Sequence, residues 1–464
     1  MNGWWPRLNR TQKLVFVAAT LAWLFDCFDQ QIFNLSRSPA IKQLVAGGMD
    51  PKLCAGWATA CLVFGWATGG MFFGSFGDKF GRAKILTICV TMFGLAMGLT
   101  SLARTFWDFL AYLFITGLGV GGVFGLSVAL VADSLPNDIR PRALGMLQSC
   151  SALGNVTAGL LGLGVAMAAL SGSYWKWLFV LGAFPALATA ALLSKQKEPQ
   201  AWIDAKAKAQ SQGKKAGSYR DLFGHPTWRR HALLGMVLSC AGVVGLWGIG
   251  VFSTDFVRDV VESVTRAKGV TDAAEISKQQ GIWGGINLTC FNVGAFIGMM
   301  LFTRVTEKLG RRKAFAIFFT GSLIVTIFVF QSLKSTTDIL WMAPLMGFFH
   351  LSVFAGFSIY LPELFPTRLR STGTSFCYNV GRYLAATGPL TLGALAANLT
   401  KAAQTKAMAA HPDVAGAALD ALKMTAKIDS FRNAASIMCV IFVLGLIVLP
   451  FLPETKGKPL PEEA

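Results

Sequence analysis

Three ionisable residues lie within long apolar stretches of the chain, where a charge is costly and therefore usually has a function or a partner. Asp26 and Asp29 occur in Asp-Cys-Phe-Asp, and Arg382 occurs in the segment 378–383. The aspartates are one helical turn apart, so we expect both to project toward a shared cavity. Neighbouring carboxylates tend to hold a proton between them, which makes the pair candidate proton carriers. The alternative for each aspartate is pairing with Arg37 or capping a helix.

A guanidinium as deep as that of Arg382 needs an anion. The anion is either a neighbouring aspartate or the carboxylate of a bound molecule, and we favour the bound carboxylate over a purely structural role. Further polar and aromatic candidates for the lining of the same cavity are Trp247, Asn287, Asn292, His350, Tyr378 and Asn379.

The sequence contains no nucleotide-binding loop, HExxH motif, catalytic-triad spacing or cluster of metal ligands. We therefore expect no catalytic residues, no cofactor and no metal, and neither an enzyme nor an ATP-driven pump. The nine cysteines lie mostly in apolar runs without ligand spacing, which is typical of reduced packing residues.

The composition places these residues in a membrane protein with many spans. The 464 residues are 53% hydrophobic and only 14% charged, which is too apolar for a soluble protein. The net charge of +18 comes from Lys and Arg in short segments between apolar runs, not from one basic face. That distribution argues against nucleic-acid binding.

Apolar runs long enough to cross a bilayer occur twelve times, which predicts an all-α protein with twelve transmembrane helices. They lie near 13–34, 55–76, 84–103, 107–132, 142–170, 175–194, 232–255, 280–302, 313–333, 338–361, 370–397 and 432–452. This predicts a six-helix bundle over 1–194, a cytoplasmic linker over 195–230 and a second six-helix bundle over 231–464.

Lys and Arg are concentrated in the amino terminus, the even-numbered loops and the carboxyl-terminal tail. By the positive-inside rule, both termini are expected in the cytoplasm. Within the linker, QAWIDAKAKAQ predicts a short interfacial helix. The outer segments 256–279 and 398–431 are longer than a turn requires, and the second is Ala-rich, which predicts one or two surface helices.

Two motifs recur in the second half of the chain. The segment GSFGDKFGRAK at 74–84 returns as TRVTEKLGRR at 303–312, with Glu in place of Asp. We expect Gly74 and Gly81 to permit a tight turn. Asp78 is expected to accept hydrogen bonds from a helix amino terminus, and Arg82 to pair with an acid at another helix end.

The second repeated motif is DSLPNDIRPR at 133–142, matched by ELFPTRLR at 363–370. An acid, a helix-stopping proline and an arginine at the next helix provide partners for the first motif. The prediction is one charge network in each half, which would close the cytoplasmic side. The first consists of Asp78, Arg82, Asp133 and Arg142, and the second of Glu307, Arg311, Glu363 and Arg370.

With these two motifs the chain resembles the major facilitator superfamily over nearly its whole length. Its ending LPETKGK at 452–458 is similar to that of sugar porters and related metabolite transporters, and the Gly-rich run 117–122 is similar to their fourth span. The Asp-x-x-Asp of span 1 and the spacing of Arg382 resemble the aromatic-acid and proton symporters. The resemblance implies Asp26 and Asp29 in proton coupling and Arg382 in carboxylate binding. Cys27 stands where those symporters usually have glycine.

These observations predict a secondary transporter with two pseudo-symmetric bundles, which moves a small organic anion by proton symport. The expected partners are that anion, a proton and the lipid bilayer. We expect a monomer in the cell membrane. A sugar or polyol porter and an organic-cation or drug exporter are the alternatives within the class, and the buried arginine disfavours both.

Overall fold

The computed structural model describes residues 4–45, 51–168, 173–246, 250–411, 413 and 416–461. Within these ranges the side chains of 51, 52, 166, 167, 250–252, 254, 255, 384–397 and 417 are not described. All regular elements of the described chain are helical. The α-helices are α1 Arg10–Leu44, α2 Pro51–Phe80, α3 Arg82–Thr100, α4 Phe106–Ser134, α5 Arg140–Met167, α6 Tyr174–Leu193, α7 Gln200–Ser211, α8 Tyr219–Gly224, α9 Pro226–Val244, α10 Gly250–Ala267, α11 Ala273–Leu309, α12 Arg311–Ser332, α13 Ile339–His350, α14 Ser352–Tyr360, α15 Arg370–Ala410, α16 Gly416–Met438 and α17 Val440–Val448.

The predicted twelve-helix membrane fold is confirmed. Nine candidate spans among the described residues are long and apolar enough to cross a membrane by themselves. The other three predicted spans correspond to α5, to α9 with α10, and to α15. Helices α5 and α15 contact helices of the opposite half, α11 and α2 respectively.

Helix ends follow local signals in the sequence. Asn9 caps α1 in a reciprocal arrangement with Gln12, in which each side chain accepts the backbone N–H of the other residue. Gly81 and Gly310 separate α2 from α3 and α11 from α12 with φ values of 120° and 94°. Since L residues rarely adopt such angles, glycine makes these two sharp reversals possible.

Small residues allow the helices to pack closely. A methyl group on Gly117 or Gly121 of α4 would overlap the carbonyl oxygens of Leu62 and Trp66 on α2. The Gly-rich run of span 4 is therefore the surface on which α2 lies.

A second close contact, which we call the α2–α15 seam, joins the two halves of the chain. The two helices run in opposite directions, and successive turns of α2 meet successive turns of α15. The contacts are Gly70 with Asn379, Gly74 with Ser375, and Gly77 with Ser371. Gly74 thus lies inside α2 and permits this contact, and the expectation that it belongs to the turn is wrong.

Both termini described here and the connecting helices lie at one end of the bundle, which we call the linker face. Arg7 pairs with Asp138 at 2.5 Å. The indole N–H of Trp202 on α7 donates to the Asp78 carbonyl oxygen at 3.0 Å. Helix α7 is the short helix predicted within the linker.

The two long outer segments are largely helical continuations of the spans. Helix α15 runs on to Ala410, and α16 begins at Gly416. Lys427 of α16 pairs with Asp259 of α10 at 2.6 Å, which ties this helical hairpin to the seventh span.

Packing through glycine predicts a site-specific loss of stability in α11. A methyl group on Gly294 would overlap the backbone of Pro344 in α13, whereas no described atom lies within 4 Å of one on Gly284. Gly294→Ala should therefore lower the stability of the purified protein by about 1–3 kcal/mol. Gly284→Ala is the matched control in the same helix and should cause no loss. Equal melting temperatures for the two variants would contradict this packing.

Candidate functional site

Arg382 lies on α15 at the contact between the two halves, with only 2% of its surface exposed. Its Nη1 donates to the Asn379 side-chain oxygen at 2.6 Å and, at 3.5 Å, to the carbonyl oxygen of Tyr378. Its Nε has no hydrogen-bond partner among the described residues. The guanidinium is held in place on one side, and within the described part of the chain its Nε remains available as a donor.

Aromatic rings from both halves surround this charge. The guanidinium carbon is 3.9 Å from the ring centroid of Trp66 on α2 and 4.3 Å from that of Tyr378. The Tyr378 ring stacks on Phe124 of α4 with centroids 3.7 Å apart. Arg382 is therefore bound to α2 through a cation–π contact and to its own helix through Asn379.

The two aspartates of α1 are 0% and 4% exposed, and their four carboxylate oxygens accept no hydrogen bond from a described residue. Asp26 interacts electrostatically with Arg382. Asp29 lies beside Gly182 of α6 and lines a narrow cleft inside the first bundle, together with Trp66. The projection of both carboxylates into one shared cavity stays a prediction, and of the two, Asp29 lines this cleft.

The other predicted lining residues divide into two groups. Tyr378 and Asn379 contact Arg382 directly, as described. Asn292 accepts a hydrogen bond from Asn155 of α5 at 2.9 Å and so joins the two halves, while Asn287 lies half-buried on the same helix.

His350 is not brought to Arg382. Its Nε2 is 2.5 Å from the Thr326 hydroxyl oxygen, and its ring packs between Phe291 and Phe442 inside the second bundle. Trp247 lies outside the described residues.

At the linker face, Asp78 of α2 occupies the amino terminus of α15. It accepts hydrogen bonds from the backbone N–H groups of Ser371 and Thr372 at 3.2 and 2.8 Å and from the Thr372 hydroxyl at 2.7 Å. A carboxylate at this position is stabilised by the unpaired N–H groups and the helix dipole. The helix that accepts Asp78 belongs to the opposite half.

Charged side chains continue this contact. Arg82 is bonded to Asp78 at 3.3 Å and forms an ion pair with Asp133. Arg370 of the second half pairs with the same Asp133. Arg82 also donates to the carbonyl oxygen of Thr367 at 2.6 Å. Two arginines from different halves thus share one buried carboxylate.

The observed ion pairs therefore differ from the two predicted networks, because two of them join residues from different networks. Arg142 pairs with Glu307 at 2.8 Å, across the halves, and does not join Asp133. Arg311 pairs with Glu363 at 2.7 Å, while Arg370 leaves that set for Asp133. The physical reason is that the halves meet at this face, so the basic start of α5 and of α15 each reaches an acid of the opposite half.

Sequence reasoning missed two glutamates that cap helices beside the repeated motif. Glu198 accepts from the backbone N–H groups of Arg82, Ala83 and Lys84 at 2.7–3.2 Å. In the second half, Glu454 accepts from the N–H of Arg311 at 2.9 Å. In the sequence, each glutamate stands next to a proline just after span 6 or span 12, and this pattern could have indicated the two caps.

Capping of α12 lowers the pKa of the Glu454 carboxylate. Partial burial acts to raise its pKa, but N–H donors of Arg311, Lys456 and Arg312 outweigh burial and hold the pKa below its ordinary value. Glu454 is therefore ionised at neutral pH in the folded protein, as an anion at a helix amino terminus should be.

A linker segment was also missed. Residues 215–223, which we call the linker clasp, lie between α2 and the start of α15. Gly217 accepts from the Ser75 hydroxyl at 2.5 Å through its carbonyl oxygen and donates to the Arg368 carbonyl oxygen at 2.9 Å. Tyr219 donates to the carbonyl oxygen of Met71 at 2.8 Å. The clasp covers the linker-face end of the α2–α15 seam.

Two helical bundles, with repeated charged motifs at one face and a buried guanidinium between the halves, are the arrangement expected of a membrane carrier. The sequence model of the Major Facilitator Superfamily matches residues 20–262 and 264–464. The chain belongs to this superfamily and is a multi-pass membrane protein.

Curated relatives align along most of the chain. It is 26% identical over 460 residues to the probable 4-methylmuconolactone transporter of Cupriavidus pinatubonensis, covering 98% of this chain and 94% of that protein. It is 25% identical over 401 residues to the cis,cis-muconate transport protein of Acinetobacter baylyi, covering 84% and 88%.

A solved structure shares the fold. A proton:xylose symporter bound to 6-bromo-6-deoxy-D-glucose superposes with a TM-score of 0.67 at 20% identity, covering 97% of this chain and 98% of that one.

Proposed function

We propose that this protein moves a small organic anion, a carboxylate, across the membrane by proton symport and alternating access. The observation that carries the proposal is the buried Arg382, whose Nε has no hydrogen-bond partner among the described residues, at the contact between the halves. A carboxylate is the common partner of a guanidinium because both groups are planar and can form two parallel hydrogen bonds. The names of the muconate and methylmuconolactone relatives agree with an organic acid.

Asp26 and Asp29 are the proposed proton carriers. A buried carboxylate without a hydrogen-bond donor gains from neutralisation, either by a proton or by a nearby cation. Asp26 interacts electrostatically with Arg382. A substrate carboxylate bound at Arg382 would compete with Asp26 for the guanidinium and so change the proton affinity of Asp26. This competition is the proposed coupling between proton binding and carboxylate binding.

The rival substrates fit this arrangement less well. A sugar carries no charge to match a buried guanidinium, and an organic cation would be repelled by it. The likeness to a xylose symporter concerns the fold, at 20% identity. Two amides that a sugar could use, Asn155 and Asn292, bond to each other.

We further propose that the linker face is cytoplasmic and that the protein resides in the cell membrane. The halves 1–194 and 231–464 would rock about the central site, joined by the linker 195–230. The contacts at the linker face would form the cytoplasmic gate, built from Gly74, Asp78, Gly81, Arg82, Asp133, Arg142, Glu307, Arg311, Glu363 and Arg370.

Carboxylates should raise the melting temperature of the purified protein in a way that depends on Arg382. Benzoate and cis,cis-muconate are suitable probes, and benzamide is the matched neutral control. Loss of hydrogen bonds to a charged group weakens binding by about 1.5–3 kcal/mol, so Arg382→Ala should reduce affinity about 10- to 100-fold. Arg382→Lys should be intermediate because an ammonium cannot form the bidentate pair.

Arg7→Ala, at an exposed arginine of the linker face, is the control and should bind like the wild type. A shift of equal size with benzamide, or a full shift in Arg382→Ala, would refute recognition of the carboxylate by this arginine.

An imposed pH gradient, acidic on the side opposite the linker face, should drive carboxylate accumulation in proteoliposomes. Asp26→Asn should abolish accumulation against a concentration gradient but allow exchange of labelled for unlabelled substrate, since the neutral amide cannot carry a proton. Asp29→Asn should show which carboxylate is essential. Wild-type uptake that ignores the gradient would disprove symport.

Opening of the proposed gate should be easier in Asp78→Asn, because the amide cannot replace a charge at the amino terminus of α15. Hydrogen–deuterium exchange of the peptide around Ser371 and Thr372 should become faster, and the transport rate should change. Asp138→Asn, at an exposed acid of the same face, is the control. Unaltered exchange and transport in Asp78→Asn would remove Asp78 from the gate.

A further inference from the structure

Trp66 contacts the Arg382 guanidinium through the face of its indole ring. Its side chain is 2% exposed and lies on α2, in the half of the chain that does not carry Arg382. The ring centroid is 3.9 Å from the guanidinium carbon, closer than the ring of Tyr378 at 4.3 Å. On the same helix, Trp57 is 53% exposed, so burial distinguishes the two tryptophans.

Trp66 lies at the inner end of the α2–α15 seam. From the linker face inward, Asp78 meets Ser371, Gly74 meets Ser375, Gly70 meets Asn379, and Trp66 meets Arg382. The first large side chain of α2 in this series is therefore the one that contacts the guanidinium.

An aromatic ring differs from a carboxylate as a partner for a buried arginine. The ring attracts the cation through its quadrupole. It accepts none of the N–H hydrogen bonds of the guanidinium and does not neutralise its positive charge. Arg382 accordingly keeps a free Nε in the described structure although it contacts two rings. A carboxylate partner in the position of Trp66 would instead occupy those donors.

We propose that Trp66 is a positioning residue, which holds the Arg382 guanidinium from the opposite half so that its donors point at the carboxylate of the substrate. This inference rests on the proposed function and adds a consequence. Since Trp66 and Arg382 belong to different halves, the high-affinity orientation of the arginine exists only while α2 and α15 are in contact. Movement of the halves then changes carboxylate affinity directly.

The test is a graded series at position 66, read out by thermal stabilisation with benzoate and cis,cis-muconate. Cation–π attraction is strongest for Trp, weaker for Phe and absent for Leu. Affinity should fall in the order Trp, Phe, Leu, by about tenfold or more for Trp66→Leu, as expected for a desolvated cation–π contact. The Michaelis constant for uptake should rise more than the maximal rate falls.

Trp57→Leu is the matched control on the same helix and should leave affinity unchanged. A role limited to filling space would give Phe and Leu variants of similar affinity, and that result would overturn the inference. So would unchanged affinity in Trp66→Leu.

A double-mutant cycle on the unliganded protein separates this inference from the proposed function. Trp66→Leu, Arg382→Met and the double variant should show non-additive melting temperatures if the two side chains interact as described. Coupling without any stabilisation of the wild type by either carboxylate would refute the proposed function but retain the contact. Carboxylate binding that is intact in Trp66→Leu would refute only the positioning role.

Discussion

The close approach of α2 and α15 is the constraint on which the rest of the structure depends. Glycines at successive turns of α2 leave space for Ser371, Ser375 and Asn379 of the opposite half. Because the two backbones lie so near, a carboxylate of α2 reaches the first turn of α15, and an indole about three helical turns further inward on α2 reaches a guanidinium. The ion pairs at the linker face and the buried arginine both follow from one helix contact.

Acidic side chains have different surroundings at the two ends of the α2–α15 seam. At the linker face, every acid described above has a basic or N–H partner, and Asp133 has two arginines. In the membrane interior, the carboxylates of Asp26 and Asp29 accept no hydrogen bond from the described residues. Paired charges connect the halves at the linker face, whereas carboxylates without a hydrogen-bond donor among the described residues suit the proposed role of proton carriers.

The internal repeat is preserved in the helix caps and in one ion pair of each half, Arg82–Asp133 and Arg311–Glu363, but not in the ion pairs between the halves. Glu198 and Glu454 cap α3 and α12 in the same way. The acids after spans 4 and 10 differ, because Asp133 pairs with Arg370 of the other half whereas Glu363 accepts from Thr455 at 2.5 Å. The caps and these two pairs form within one half, whereas the ion pairs of Arg142 and Arg370 depend on how the two halves meet.

The amino-acid sequence alone is enough to predict the class of fold. Hydropathy reports directly on the bilayer, so twelve spans and a repeated pair of motifs are readable without a structure. It also identified Asp78 as an acceptor for a helix amino terminus, because a glycine-flanked acid at a helix end has few other partners.

The partner of each charged or polar group depends on how the helices pack in three dimensions. The acids of the two halves are chemically alike, so composition cannot tell that Arg142 meets Glu307 and Arg370 meets Asp133. Nothing in an apolar helix marks Trp66 as the tryptophan that contacts Arg382, and nothing marks His350 as bonded to Thr326. These outcomes follow from distances between helices, which arise when the bundles pack and which no local pattern encodes.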